Sequence, residues 1–128
     1  MAAGTAPCDH PAVPRVLIVD DHATFRATAR QLLEAEGYEV VGEASDGASG
    51  LEAFARLRPD VVLLDIQLPD MDGFEISRRL CGNGATPKIV LTSSRDATEF
   101  GDLVRSCGSR GFIPKGELSG GRLAELLE

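Results

Sequence analysis

From Arg15 onward, two kinds of apolar pattern alternate along the chain. Short runs that are apolar at nearly every position predict strands. Stretches with apolar residues three and four positions apart predict helices. Val16 to Asp20 is the first strand. Phe25, Ala29, Leu32 and Leu33 then share one helical face, and Gly37 is placed to end that helix. A second strand is expected at about Glu39 to Ala44. A second helix follows at about Gly47 to Leu57, with Leu51, Phe54 and Ala55 turned inward. Gly50 inside it costs about 1 kcal/mol relative to alanine, so packing must support this helix. Pro59 separates it from a third strand, Asp60 to Asp65. The loop "IQLPDMDG" leads into a short third helix carrying Ile76 and Leu80, and Lys88 to Thr92 forms a fourth strand. Phe100, Leu103, Val104 and Cys107 lie on one face of a fourth helix. Gly111 to Pro114 is a fifth strand, and a last helix, capped by Ser119, carries Leu123, Leu126 and Leu127.

Five strands, each followed by a helix, predict a parallel sheet with right-handed crossovers and helices on both faces. The first, third and fourth strands are almost continuously apolar, as central strands covered on both faces must be. The second carries Glu39 and Glu43 and the fifth is short, which suits sheet edges. The expected class is α/β: a flavodoxin-like, doubly wound, five-stranded parallel sheet of order 2-1-3-4-5. In such a sheet ligands bind beyond the carboxyl ends of the strands, near the point where the order reverses.

Composition narrows the picture. A chain of 128 residues suits one domain, expected over residues 15–128. Residues 1–14, rich in Ala, Pro and Gly, read as a mobile tail in which Cys8, Asp9 and His10 are solvated rather than metal-binding. A formal net charge of -7 argues against nucleic acid or an anionic membrane as a direct partner. Three widely spaced cysteines form no C-x-x-C, so neither a disulfide framework nor a zinc site is expected, and a reducing cytoplasm is the simpler setting. The N-terminus lacks the basic and apolar segments of a secretory signal, and no apolar stretch is long enough to span a bilayer.

The candidate chemistry lies at the strand ends. Asp20 and Asp21 end the first strand, Asp65 the third, Thr92 and Ser93 the fourth, and Lys115 follows the fifth. In a parallel sheet these ends share one edge. Three clustered carboxylates repel unless one titrates or a cation binds, and a hard cation such as Mg²⁺, which prefers oxygen ligands, fits best. Lys115 suits a phosphoryl group, and Thr92 can donate to another phosphoryl oxygen. Asp65, central among them, is the candidate nucleophile for an aspartyl-phosphate. Each aspartate alone could instead be a helix cap. His22 is expected in the first turn of the first helix, facing solvent, rather than as a fourth ligand.

The motifs "LIVDDH", "DVVLLDIQLPDMDGFE", "KIVLTSS" and "GFIPKGEL", in this order, resemble the receiver domains of bacterial two-component response regulators. "GFIPKGEL" is most similar to receivers whose regulators carry a helix-turn-helix of the quorum-sensing type. The resemblance implies that Asp65 accepts a phosphoryl group from a phosphohistidine of a sensor histidine kinase. It implies that Asp21 ligates Mg²⁺ directly, that Asp20 acts mainly through metal-bound water, and that the backbone carbonyl of Gln67 is a further ligand beside Asp65. Lys115 would pair with Asp65 and then with its phosphoryl group. Thr92 and Phe112 would form the switch, read out at the face of the fourth helix, fifth strand and fifth helix, by homodimerisation or partner docking. The chain would thus be a signalling phosphoacceptor rather than an enzyme acting on a separate substrate, either a stand-alone receiver or the input half of a transcriptional regulator. A DNA-binding part, if present, is expected beyond Glu128. Gly116 stands where this family often has proline after the lysine, and Phe112 lacks the hydroxyl of a tyrosine.

Two other classes share parts of this pattern. A haloacid-dehalogenase-type phosphatase also uses an aspartate nucleophile with Mg²⁺, but needs a general acid two residues later, where this chain has Gln67. A flavodoxin-like electron carrier needs hydroxyls and amides in its first loop to bind flavin phosphate, where Asp20 and Asp21 would repel it.

Overall fold

The computed structural model describes residues 13–81, 87–93 and 108–127. Its elements are β1 (Arg15–Val19), α1 (Ala23–Ala35), β2 (Glu39–Ala44), α2 (Gly47–Leu57), β3 (Val61–Asp65), α3 (Gly73–Cys81), β4 (Lys88–Ser93) and β5 (Gly111–Pro114). A short helical turn, Lys115–Glu117, and a C-terminal helix, Gly120–Leu127, follow. All four strand pairs are parallel, in the order β2-β1-β3-β4-β5. This is the expected doubly wound α/β sheet. The fourth expected helix, with Phe100, Leu103, Val104 and Cys107, lies outside the described residues. So do Cys8, Asp9, His10 and most of the expected tail. The described chain is already engaged at Pro14, whose carbonyl accepts from the Glu39 N–H at 2.9 Å.

The apolar runs are continuous because successive side chains point into two different layers. Val16, Ile18, Val61, Leu63, Val90 and Ile113 pack with Ala29, Leu33 and Leu123, beneath α1 and the C-terminal helix. Leu17, Val19, Val62, Leu64, Ile89 and Leu91 pack with Ala53, Phe54, Ile76 and Leu80, beneath α2 and α3. Each Val, Leu, Ile or Phe side chain among them contributes roughly 1.5–3 kcal/mol by its burial. No helix among the described residues is long and apolar enough to cross a membrane.

One sequence expectation needs correction in α2. Ala55 is exposed, and Ala53 with Phe54 forms the buried face, because Gly50, Ala53, Phe54 and Leu57 follow the helical period. Gly50 has the packing support that the sequence reading required. A Cβ there would come within 3.0 Å of Val19 Cγ1, so the missing side chain lets α2 approach β1 closely. The strand ends also shift by one residue: β1 stops at Val19, which leaves Asp20 just beyond it, and β4 runs on through Ser93.

Helix capping is performed by other acids than the three at the strand ends. Asp46 and Ser49 form a capping box on α2, and the Asp70 carboxylate accepts from the Gly47 and Ala48 N–H groups at 2.7 and 2.9 Å. Asp72 accepts from the Glu75 N–H at 2.8 Å in α3, and Ser119 Oγ from the Arg122 N–H at 3.1 Å. Asp20, Asp21 and Asp65 are thereby left for other uses.

Candidate functional site

The sheet brings the expected residues to one edge. Asp65 ends β3 and lies directly opposite Thr92 in the register with β4, while Pro114 opposite Ser93 delivers the chain to Lys115. Asp20, Asp65, Thr92 and Ser93 are buried, whereas Asp21 is exposed. One ligand atom from each of Asp20, Asp21, His22 and Asp65 falls within 4.8 Å of all the others.

Short turns fix both buried acids. Asp20 Oδ1 accepts from the His22 N–H at 2.8 Å, and Asp65 Oδ1 accepts from the Gln67 N–H at 3.1 Å. Each turn spends one carboxylate oxygen on its own backbone and leaves the other for the site. Lys115 Nζ meets both free oxygens, Asp20 Oδ2 at 2.8 Å and Asp65 Oδ2 at 3.5 Å. At 2.8 Å the Lys115 ammonium is the ion-pair partner of Asp20 Oδ2. Thr92 Oγ1 has no hydrogen-bond partner among the described residues. A buried hydroxyl without a hydrogen bond among the described residues, beside carboxylates that share one lysine, suits a site built for an added group. One such group is a cation held by carboxylates, and the donor set of three aspartates matches an ion that prefers oxygen.

The electrostatics are unequal. Burial is the main influence on Asp65 and pushes its carboxyl above the ordinary aspartate range. The Gln67 N–H pulls it back, the Asp20 charge pushes it further up, and Lys115 opposes that.

Sequence reasoning missed two supports. The ring of Phe25, expected only as core, lies 4.8 Å under Lys115 Nζ and steadies the ammonium. Arg26 donates from NH1 to the Asp20 carbonyl at 2.6 Å and pairs through Nε with Glu43 at 3.1 Å. Glu43, read as a mark of an edge strand, also pairs with Arg30 at 2.7 Å, and these guanidinium bonds, Arg30's first, hold its carboxyl below the usual range. The available signal was an edge-strand acid facing a helix with arginines four residues apart. Gln67 is exposed, and its described role is the N–H bond to Asp65. Phe112 is half-buried against the layer beneath α2 and α3, and lies opposite Leu91 in the sheet.

Residues 16–128 match the model of the family described as response regulator receiver domain. A putative transcriptional regulator of Pseudomonas aeruginosa is 36% identical over 88% of this chain and 53% of its own length. The virulence factors putative positive transcription regulator BvgA of Bordetella pertussis is 36% identical over 80% of this chain and 49% of its own. The chain thus spans about half the length of these relatives. Among solved structures, the receiver domain of the putative response regulator NarL from Mycobacterium tuberculosis superposes with a TM-score of 0.80 at 32% identity, covering 91% of this chain and 98% of that one.

Proposed function

The chain belongs to the response regulator receiver domain family, and from that premise we propose that Asp65 accepts a phosphoryl group from a phosphohistidine of a sensor histidine kinase in a Mg²⁺-dependent reaction. The observation that carries this reading is the meeting of a buried, turn-held Asp65 with two further aspartates, a lysine ammonium and an unbonded buried hydroxyl. Asp21, Asp65 and the Gln67 carbonyl would hold the cation directly, and Asp20 through water. Bound Mg²⁺ supplies positive charge for the phosphoryl oxygens.

The remaining steps belong to the chain's own residues. One Asp65 carboxylate oxygen forms a bond to phosphorus as the P–N bond of the phosphohistidine breaks, and the electron pair leaves with the imidazole. Lys115, already 3.5 Å from Asp65, turns its ammonium to the transferred group. Thr92 Oγ1 then gains the acceptor it lacks. One charge-assisted hydrogen bond supplies about 1.4 kcal/mol, enough for a tenfold shift between two arrangements that both pre-exist. Phe112 follows Thr92 inward, and the face of β5 and the C-terminal helix changes its fit for a second copy or another partner. Relatives named as transcriptional regulators, and twice as long, support the reading of this chain as a regulator's input half. The cytoplasm is the setting in which a histidine kinase could reach it. The test is incubation with acetyl phosphate and Mg²⁺, followed by intact-mass measurement. One added phosphoryl group is expected, and an unchanged mass would contradict the reading.

Three further outcomes follow from the contacts. Asp21→Ala should weaken Mg²⁺ binding, measured by titration calorimetry, more than Asp20→Ala does. Lys115→Ala should bind Mg²⁺ at least as tightly as the wild type, because its ammonium now neutralises Asp20 and Asp65 in the cation's place. Thr92→Ala should lower stability by only about 1 kcal/mol, the burial of the lost methyl group, since the hydroxyl it removes has no hydrogen-bond partner among the described residues. It should still take up phosphate, yet show smaller NMR shifts at Phe112 with beryllofluoride than the wild type.

A further inference from the structure

We infer that a trough between α1 and the turn after β5 seats the apolar chain of an acyl phosphate, so that this chain takes phosphoryl groups from medium-chain acyl phosphates in preference to acetyl phosphate. This subsite rests on the reading of Asp65 as phosphoacceptor given above. The trough has a volume of about 450 Å³. Phe25, Thr28 and Leu32 line one wall, at the i, i+3, i+7 spacing that shares a helix face. That wall runs about 10 Å along α1 at 1.5 Å per residue. Leu118 forms the opposite wall, and His22 and Lys115 stand at one end.

The core leaves this surface open. Ala29 and Leu33 turn to the sheet and are fully buried, whereas Phe25, Leu32 and Leu118 are only partly covered by the layer beneath α1. Their outer sides present apolar surface to water whenever the trough is empty. Charge is confined to the end shared with the phosphoacceptor site. Lys115 Nζ lies 4.8 Å over the Phe25 ring, 2.8 Å from Asp20 Oδ2 and 3.5 Å from Asp65 Oδ2. The same ammonium therefore closes the trough and faces the acceptor carboxylate. A molecule that fits is anionic at one end and apolar along the rest, and the volume is that of a small-molecule site. An acyl phosphate has this character. Its phosphoryl group meets Asp65 while its chain lies along α1. One Asp65 carboxylate oxygen forms a bond to phosphorus, the P–O bond to the acyl group breaks, and the electron pair leaves on the carboxylate of the free acid, which needs no proton at neutral pH. Acetyl phosphate makes and breaks the same bonds but leaves the trough empty. The chain is held equally before and during transfer, so it lowers the half-saturating concentration without raising the limiting rate.

Acetyl and hexanoyl phosphate have leaving groups of nearly equal basicity, so they differ in chain length and not in intrinsic reactivity. Phosphoryl uptake with Mg²⁺ is followed by intact mass against donor concentration for the full chain. The variants are Thr28→Trp, which fills the trough, and Gln31→Trp, which adds the same bulk to an exposed position of α1 outside it. The half-saturating concentration should be about tenfold lower for hexanoyl than for acetyl phosphate, because each added methylene is worth roughly fourfold when fully buried and an open trough covers it in part. Thr28→Trp should lose this preference and Gln31→Trp should keep it. Hexylphosphonate, whose P–C bond does not transfer the phosphorus, should shift the NMR signals of Leu32 and Leu118 where methylphosphonate does not. Equal constants for the two donors, no such shift, or a preference that survives Thr28→Trp would overturn the subsite and leave Asp65 standing as the acceptor. Uptake independent of chain length, together with a dimer that Thr28→Trp dissociates, would give the trough to a second copy and overturn the subsite as well. No uptake from either donor would overturn the phosphoacceptor reading, and the subsite with it.

Discussion

Asp65→Asn is expected to gain no phosphoryl group from acetyl phosphate and Mg²⁺, and yet to melt at a higher temperature than the wild type in metal-free buffer at neutral pH. The first effect follows from chemistry: an amide oxygen is a poor nucleophile, and no other acid of the cluster is both buried at a central strand end and paired in register with Thr92. The second follows from burial. Because the folded protein raises the Asp65 carboxyl above its ordinary range, it holds that proton more tightly than the unfolded chain does. The stability this group contributes is fully present below the ordinary aspartate range and is lost as pH rises through the raised folded value. At neutral pH the buried charge therefore opposes folding, and asparagine, uncharged and of the same shape, does not carry it. Lys115 keeps its closer partner, Asp20, so the loss of the longer contact to Asp65 offsets little. Thermal unfolding in chelator should show the variant ahead at neutral pH, with the gap closing on acidification. Added Mg²⁺ should raise the wild type more than the variant, since binding to the folded state alone stabilises it. A gap that stays constant with pH would refute the role of burial at Asp65.

Gly73→Ala should damage both stability and phosphorylation. Gly73 opens α3 directly behind Asp65, and its N–H donates to the Ile66 carbonyl at 2.7 Å. A Cβ at this position would lie 2.5 Å from the Asp65 carbonyl oxygen and 2.9 Å from Ile66 Cα. Both are backbone atoms, so no side-chain rotation can relieve the contact. Overpacking of this kind costs about 1–3 kcal/mol. The shift needed to relieve it moves the backbone that carries Asp65, and a misplacement of about 1 Å at a reacting group can cost on the order of a hundredfold in rate. Gly116→Ala is the matched control, because a Cβ there meets nothing within 4 Å. Melting temperature and the rate of phosphoryl uptake should both fall for Gly73→Ala and stay near wild type for Gly116→Ala. Equal behaviour of the two variants would show that the space behind Asp65 is not limiting.

The order of elements, the sheet order and the candidate acids were all determined by the sequence alone, because each depends on local spacing. Runs such as Val61 to Leu64 are apolar at every position only when both sheet faces are covered, and a parallel sheet then puts Asp20, Asp65, Thr92 and Lys115 at one edge whatever the details. The inward face of α2 needed the tertiary structure, because Ala53 and Ala55 are chemically identical and only contact with the sheet separates them. Gly50 and Gly73 also became intelligible only in three dimensions, since the atoms that require their small size, on Val19 and on Asp65, lie on other elements. The same holds within the site. Lys115 rests on Phe25 and reaches Asp20 more closely than Asp65, and Arg26 braces the Asp20 carbonyl. His22, read from sequence as a solvent-facing first-turn residue, places a ring nitrogen among the carboxylates through a backbone turn. Periodicity reports which face of an element is buried. It does not report distances between side chains on different elements, and the distances at this strand edge determine which carboxylate, cation and imidazole meet.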